Sequence, residues 1–222
     1  GAVDNVLSGK IPLTESGLIQ VKGRINAVDS INLNAGQVMV DAGSHLIAGM
    51  QAQANFGDLV NIDGVELGSE VKIENGVISI LAMGDIDIAG QISADGIEGQ
   101  NAGLVEIKAG QDIHLNAGAD VSASGQGLNS SGGVVISYAQ GDATLEAGAV
   151  VAANGGLTGD GGFVEFSAKD TVNINGGKLQ AKAPQGKAGE ILIDPAELLW
   201  TGSSNDQFKD GESYTITATD RV

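Results

Sequence analysis

The chain has 222 residues, 35 of them glycine, and its hydrophobic content of 42% includes only 3% aromatic residues. Its net charge of −17 argues against binding nucleic acid or an anionic membrane by charge attraction. The absence of cysteine excludes thiol chemistry and cysteine-ligated metals, and no apolar run is long enough to predict a membrane span.

Strand-like alternation begins near residue 17. Residues 17–43 read as one regular coil, whereas residues 45–75 are less regular. The segment 50–57 breaks the alternation and predicts an outward loop or a distorted corner. The cleanest repeats occupy residues 76–188. We expect strands before them at 18–21, 31–33, 38–40, 59–62 and 71–73.

A glycine followed by alternating aliphatic residues recurs at a nearly constant interval. The segments are Gly76-Val-Ile-Ser-Ile-Leu-Ala82, Gly103-Leu-Val-Glu-Ile-Lys-Ala109, Gly133-Val-Val-Ile-Ser-Tyr-Ala139, Gly162-Phe-Val-Glu-Phe-Ser-Ala168 and Gly189-Glu-Ile-Leu-Ile-Asp-Pro195. Their first glycines are 27, 30, 29 and 27 positions apart. Such a period predicts a repeat architecture, in which each unit buries its apolar face by stacking on its neighbours.

Two further short strands fit inside each period. They lie at 85–88, 112–115, 142–145 and 171–174, and at 91–94, 120–123, 150–153 and 178–181. Each strand is expected to alternate an inward aliphatic with an outward polar residue. No segment has the apolar spacing of an amphipathic helix, which a βαβ fold would require in every period. We therefore predict an all-β parallel β-helix, or solenoid, of about seven coils of roughly 27–30 residues.

The alternation predicts which side chains fill the core. The first face is expected to stack Ile80, Ile107, Ile136, Phe166 and Ile193. The second is expected to stack Ile88, Leu115, Leu145 and Ile174. The third is expected to stack Ile92, Val121, Val151 and Leu179, beside a ladder of Ala94, Ala123, Ala153 and Ala181. A one-residue ambiguity near 131–135 suggests a bulge there.

These strands, with Gly189-Glu-Ile-Leu-Ile-Asp-Pro195, resemble the filamentous-haemagglutinin-like exoproteins of bacterial two-partner secretion. That family often carries an Ile-Asp-Pro junction where a β-helical stretch closes. The resemblance covers nearly all of residues 17–200 and implies a right-handed β-helix, a secreted or cell-surface location, and adhesion. It also implies an outer-membrane two-partner-secretion transporter as partner of the parent chain. The Asn-Pro-Asn motifs typical of the N-terminal secretion domain are absent, which indicates a segment further along the parent.

We expect residues 1–188 to form the rod segment and residues 189–222 to form a junction or cap that continues into a longer parent. Both ends cut into patterned sequence, which suggests an excised fragment. The apolar run at Leu198, Leu199 and Trp200 is interpreted as covering the open end of the core. The alternative is a glycan contact formed by the chain's aromatic concentration, which comprises Trp200, Phe208 and Tyr214.

Acidic residues recur on the outward side of the second face. Asp85, Asp112 and Asp142 are expected to stack in one column that ends at Thr171. Oxygen ligands in this arrangement suggest a weak calcium site, or a carboxylate pair for glycoside hydrolysis. A solvated acidic face is the interpretation we favour. A neighbouring column is expected to hold Asp87, His114, Thr144 and Asn173.

The sequence thus favours a structural and adhesive rod segment of a large bacterial adhesin, with no catalytic residues and no cofactor. The alternative is a glycan-binding module that uses loops 125–133 or 50–57, or the Trp200 region, to contact extracellular polysaccharide or cell-surface glycan. A polysaccharide-active hydrolase ranks third. A lyase is disfavoured, because arginine occurs only at Arg24 and Arg221 and no lysine shares a face with the acidic column.

Overall fold

The structure is a computed structural model that describes residues 2–3, 10–49, 76–201 and 213–216. Within them the chain is all β, without a helix. In chain order the strands are β1 (Ala2–Val3), β2 (Lys10–Thr14), β3 (Leu18–Val21), β4 (Arg24–Ala27), β5 (Ser30–Ala35), β6 (Gln37–Val40), β7 (His45–Ala48), β8 (Val77–Ala82), β9 (Ile86–Ile88), β10 (Gln91–Ser93), β11 (Leu104–Ala109), β12 (Ile113–Leu115), β13 (Asp120–Ser122), β14 (Val134–Ala139), β15 (Ala143–Glu146), β16 (Val150–Ala152), β17 (Phe163–Ala168), β18 (Thr171–Asn175), β19 (Lys178–Gln180), β20 (Glu190–Ile193), β21 (Glu197–Thr201) and β22 (Ser213–Ile216).

The strands form three parallel sheets. The first sheet has the order β2-β5-β8-β11-β14-β17-β20-β22. The second has the order β1-β3-β6-β9-β12-β15-β18-β21, and the third β19-β16-β13-β10-β7-β4. Each strand pairs in parallel with its equivalent one coil earlier and one coil later, as β11 does with β8 and β14. This is the stacking of a parallel β-helix or solenoid, so the repeat architecture is confirmed.

The glycines that lead each period are fixed by close approach of successive coils. A side-chain Cβ placed on Gly103 would lie 1.8 Å from the carbonyl oxygen of Gly76. The same construction puts a Cβ of Gly133, Gly162 or Gly189 2.0 Å from the equivalent carbonyl of the coil before. No side chain fits at such a distance, so the period visible in the sequence is a column of backbone contacts.

Most of the core lies where the alternation predicts it. The confirmed columns of the second and third faces, with the alanine ladder, are fully or almost fully buried: Ile88, Leu115, Leu145, Ile174; Ile92, Val121, Val151, Leu179; Ala94, Ala123, Ala153, Ala181. Their registers join equivalent positions, as in the pairing of Leu115 with Leu145. The narrow interior accepts aliphatic side chains and explains the low aromatic content.

The first face contains one error of prediction. Ile136 was expected to point inward, but it is half-buried on the outward side, and Ser137 lies in the core column between Ile107 and Phe166. Strand β14 pairs residue for residue with both neighbours, so the bulge suggested near 131–135 does not interrupt it. Stacking of Gly133 on Gly103 fixes the start of the strand, and strict alternation then turns the serine inward.

The outward side of the first sheet also departs from the predicted alternation of inward aliphatic with outward polar residues. Its first outward column is apolar through four coils, and we call this column the apolar stripe: Val77, Leu104, Val134 and Phe163. All four side chains are half-buried. The expectation of polar outward residues is therefore wrong for this column.

The core position of Ser137 leads to a prediction about the free energy of unfolding. Its hydroxyl is buried without a hydrogen-bond partner. Removing it in Ser137→Ala relieves that desolvation, so we expect the free energy of unfolding in urea to be unchanged or higher by up to about 1 kcal/mol. The matched variant is Ser122→Ala, because the Ser122 hydroxyl is also buried but donates to Asp95 Oδ1 at 2.5 Å. That variant should lose about 1 kcal/mol. An equal loss in both variants would contradict the assigned interior.

Candidate functional site

The acidic column is the first candidate site. Asp85, Asp112 and Asp142 occupy the corners just before β9, β12 and β15, in three successive coils. Asp85 Oδ1 accepts a hydrogen bond from the backbone N–H of Asp112 at 3.1 Å. Asp112 Oδ1 accepts from the N–H of Asp142 at 2.8 Å, and Asp142 Oδ1 accepts from the N–H of Thr171 at 2.9 Å. The side chains therefore stack as expected and are bonded to the backbone of the next coil.

This geometry gives the aspartates a function that sequence reasoning did not consider. At a corner the chain turns, and the N–H of the next coil's corner residue needs an acceptor. The carboxylate supplies it, while the corner carbonyl accepts from the strand of the preceding coil, as Asp112 O does from Ile86 N–H at 2.9 Å. Each carboxylate remains at least partly exposed to solvent. The column is thus a hydrogen-bonded corner ladder that also carries charge.

The connection from the third sheet to the first contains two ladders of the same kind, one at each end. Between the third sheet and the loop that follows it, one side-chain oxygen per coil accepts from the backbone N–H of the next coil: Asp95 from Ser124 (2.7 Å), Ser124 from Asn154 (3.0 Å), Asn154 from Lys182 (2.8 Å). Before the first sheet, the series is Asn101 from Ser131 (3.0 Å), Ser131 from Asp160 (3.2 Å), Asp160 from Lys187 (2.8 Å). Asp, Asn and Ser all occur in these columns because each offers a side-chain oxygen that accepts a hydrogen bond.

The second predicted column also has the expected register. His114 pairs with Asp87 on one side and with Thr144 on the other, and Thr144 pairs with Asn173. These side chains are half-buried on the outward face of the second sheet. Among the described residues, no group of three or more His, Asp or Glu side chains is arranged to hold a metal ion.

A second acidic pair, Asp95 and Asp120, appears only in the folded chain. Asp95 accepts from the hydroxyl of Ser122 at 2.5 Å, from Ser124 N–H, and from Gln126 Nε2 at 3.1 Å. Burial of Asp120, and then the negative charge of Asp95, raise the pKa of the Asp120 carboxyl. Sequence reasoning missed the pair because the two residues are 25 positions apart and meet only through the coil register.

The aromatic candidates for a glycan contact are separated. Trp200 lies in β21 of the second sheet, pairs with Ile174, and packs half-buried against the core. Tyr214 lies in β22 of the first sheet, where its backbone pairs with Ile191. Phe208 lies outside the described residues. The predicted aromatic concentration is thus divided between two sheets where the structure describes it.

Two of the three residues predicted to cap the end of the core pack against the core, and the third does not. Leu198 and Trp200 pack against the core, in register with Val172 and Ile174. Leu199 alternates to the outside and is 45% exposed. Sequence reasoning grouped the three by hydrophobicity, but strand alternation separates neighbours.

The predicted loop 125–133 is a well-bonded surface corner, whereas loop 50–57 lies outside the described residues. Asn129 adopts a left-handed backbone with a φ of 57°. Its N–H donates to Thr158 Oγ1 at 3.0 Å, and the Thr158 hydroxyl donates back to Asn129 Oδ1 at 2.9 Å. Leu128 and Leu157 beside them are 43% and 46% exposed. Loop 125–133 and the loop of the next coil, 154–162, therefore form one ridge with aliphatic and amide groups at its surface.

Comparison of the chain with family models, curated proteins and solved structures gave no match. In the part of the chain that the structure describes, no helix has the length and apolar character needed to cross a membrane.

The ladder interpretation separates two substitutions at one position. Asp112→Asn keeps an oxygen acceptor for the N–H of Asp142 and removes a charge from a column of like charges, so stability should be unchanged or higher. Asp112→Ala removes the acceptor and should lower the free energy of unfolding by about 1 kcal/mol. Chemical denaturation of both variants measures the difference.

The effect of calcium on the melting temperature distinguishes a hydrogen-bonded ladder from a calcium site. A ladder without a metal site should gain only a small rise in melting temperature from millimolar Ca²⁺, matched by Mg²⁺, through charge screening. A large shift that is specific to Ca²⁺ and lost in Asp112→Asn would establish a calcium site instead.

Asp120 predicts a pH dependence with a definite sign. Its pKa is raised above the ordinary 3.8, so the folded chain holds this proton more tightly than the unfolded chain. The contribution to stability is therefore complete below about pH 3.8 and is lost as pH rises through the folded pKa. Asp120→Asn imitates the protonated state, and it should be more stable than the parent at pH 7 but not at pH 3. A stability difference that is independent of pH would contradict this assignment.

Proposed function

We propose that this chain is a structural and adhesive rod segment of a large secreted or cell-surface bacterial adhesin. The observation that supports it most directly is the coil-to-coil bonding of the corners. Side-chain oxygens at the acidic corner and at both ends of the connection from the third sheet to the first are bonded to the backbone of the next coil, so polar residues that would otherwise be candidates for chemistry stabilise the stack. A chain built in this way is stiff along its axis and has no natural limit to its length.

The proposal includes a right-handed β-helix of about seven coils. Support for the hand comes from the rule that connections between parallel strands of one sheet are right-handed in nearly all proteins. Membership of the filamentous-haemagglutinin-like exoproteins is proposed on the sequence pattern alone, in particular on the glycine-led strands and on Ile193-Asp-Pro195. An outer-membrane transporter as partner of the parent chain is proposed with it.

The hydrolase alternative is disfavoured by the bonding of the acidic column. A glycosidase needs two carboxylates that converge on one bond, one of them with a raised pKa. Asp85, Asp112 and Asp142 instead bond in series, each to the N–H of the next coil, and their surroundings repeat from coil to coil. Nothing in that arrangement makes one carboxylate suited to act as the general acid and another as the nucleophile or base.

A glycan-binding module is the second candidate, and the ridge of loops 125–133 and 154–162 favours it. Asn129 and Thr158 are joined by two hydrogen bonds. Their remaining hydrogen-bonding groups and the flanking side chains of Leu128 and Leu157 are therefore presented in a fixed geometry. Amide and hydroxyl groups beside aliphatic carbon suit a neutral sugar ring. The ligand would be extracellular polysaccharide or a glycan on a neighbouring cell.

Adhesion to cells and cleavage of polysaccharide can be tested with one preparation of the purified chain. Beads coated with the chain should bind polysaccharide-bearing cells more than beads coated with Ile107→Asp, which places an unpaired charge in the core and should unfold the chain. The same protein should release no reducing ends and no unsaturated products from a panel of polysaccharides. Attachment that does not depend on folding would refute adhesion by this segment, and turnover abolished by Asp112→Ala would favour the hydrolase.

A further inference from the structure

The side chains of the apolar stripe lie on the outer surface and are not part of the hydrophobic core. Leu104 pairs with Val77 below and Val134 above, and Val134 pairs with Phe163. The inward positions between them are already filled by buried residues such as Val105 and Val135. The stripe side chains therefore point away from the interior and remain partly accessible to solvent.

Further apolar side chains lie on the same outward face, but charged residues separate them from one another along their columns. Ile136, Tyr138 and Leu192 are half-buried on the same outward face, and Leu81 is 37% exposed. Stacking of aliphatic side chains between neighbouring strands stabilises a sheet, but polar and β-branched residues such as threonine also stack in this way. The outward columns of the second sheet show this, since Asp87, His114, Thr144 and Asn173 occupy the equivalent surface. A contiguous apolar column on one sheet alone, such as the stripe, is typical of an interaction surface.

The area of the outward face around the stripe favours a narrow partner over a second copy of the chain. Four coils spaced at about 4.8 Å and strands of about six residues give a face of roughly 400 Å². A stable dimer buries about 800 Å² on each partner. Two copies would also bring together two chains with a net charge of −17 each.

The charges around the stripe define the chemistry of that partner. Glu165 lies in the next outward column, in register with Ile136, and Glu190 continues the stripe itself above Phe163. Glu106 in the same face is paired with Lys108, so Glu165 and Glu190 dominate the remaining charge. An apolar surface with flanking carboxylates is complementary to an apolar segment with flanking lysines or arginines.

We propose that the apolar stripe is a docking surface for a basic amphipathic helix of a partner protein, lying along the rod axis. One helical turn rises about 5.4 Å, close to the coil spacing of about 4.8 Å, so residues at i, i+3 or i+4, and i+7 fall on successive stripe residues. An extended strand repeats one face about every 6.7 Å and loses register sooner. This inference does not depend on the adhesive function proposed above.

A synthetic peptide tests the surface directly. The probe is a peptide of about 14 residues with leucines at helical spacing and lysines on the opposite face, long enough for nearly four turns. We expect fluorescence anisotropy to show saturable binding to the complete chain, weakened by salt. A peptide of the same composition with leucines distributed around the helix should bind at least about tenfold more weakly.

Variants locate the binding on the stripe. The double variant Leu104→Thr, Val134→Thr keeps β-propensity and should lose about tenfold or more in affinity. The matched control is Leu157→Thr, which removes an exposed leucine from a loop outside the first sheet and should bind as the parent does. Glu165→Gln with Glu190→Gln should weaken binding several-fold and reduce its salt dependence. Each variant is first required to keep the parent's circular dichroism spectrum and melting behaviour.

Several outcomes would overturn the proposal. These are failure of the parent to bind the amphipathic peptide, equal binding of the rearranged peptide, and retention of affinity in the stripe double variant. Sedimentation that shows a dimer abolished by the same double variant would assign the stripe to a second copy. Binding of a neutral polysaccharide that is lost in the double variant but not in Leu157→Thr would assign it to a glycan.

Discussion

Parallel hydrogen bonding between equivalent positions of successive coils is the constraint on which the rest of this structure depends. It fixes the separation of coils at one strand spacing, about 4.8 Å. At that separation the glycines that lead each period lie backbone against backbone, and any side chain there would collide with the carbonyl of the coil before. The same constraint puts like residues above like residues. A substitution is therefore judged by its two neighbours in the column as much as by its own surroundings.

The corners show how the chain meets this constraint where strands end. Some backbone donors at a turn have no strand partner, and one side-chain oxygen per coil accepts from them at the acidic corner and at each end of the connection from the third sheet to the first. In the acidic corner this brings carboxylates into a column, where mutual repulsion opposes the hydrogen bonds. Solvent around Asp112 and its neighbours reduces the repulsion, since these side chains are partly exposed. Acidity at this corner is a by-product of an acceptor requirement, which Asn or Ser also meets in the two ladders between the third and first sheets.

The outward faces are chemically distinct, so the repeating structure presents a different surface on each side. The second sheet presents polar and charged columns, such as Asp87 with His114. The first sheet presents the apolar stripe beside Glu165 and Glu190. The loops before the first sheet add a ridge in which Asn129 and Thr158 are held together. A solenoid whose faces differ in this way presents different chemistry on each side while its coils keep the same kind of aliphatic core.

The sequence alone determined the architecture and most of the interior. Period, glycine position and two-residue alternation are local properties, and they predicted the three strands of each coil, the second and third core columns, and the alanine ladder. They also predicted that Asp85, Asp112 and Asp142 would be neighbours. Regular spacing carries this information because every coil repeats the same solution.

Only the tertiary structure decided what each neighbour does. Ser137 is inside and Ile136 outside because the stacking of Gly133 on Gly103 fixes the strand, and that contact outweighs the hydrophobic preference of one residue. Hydrophobicity likewise grouped Leu199 with Trp200, although alternation places one outside and the other against the core. The corner ladders, the Asp95 and Asp120 pair and the apolar stripe join residues some 25 to 30 positions apart. Their chemistry depends on distances between coils, which a reading of one coil at a time does not contain.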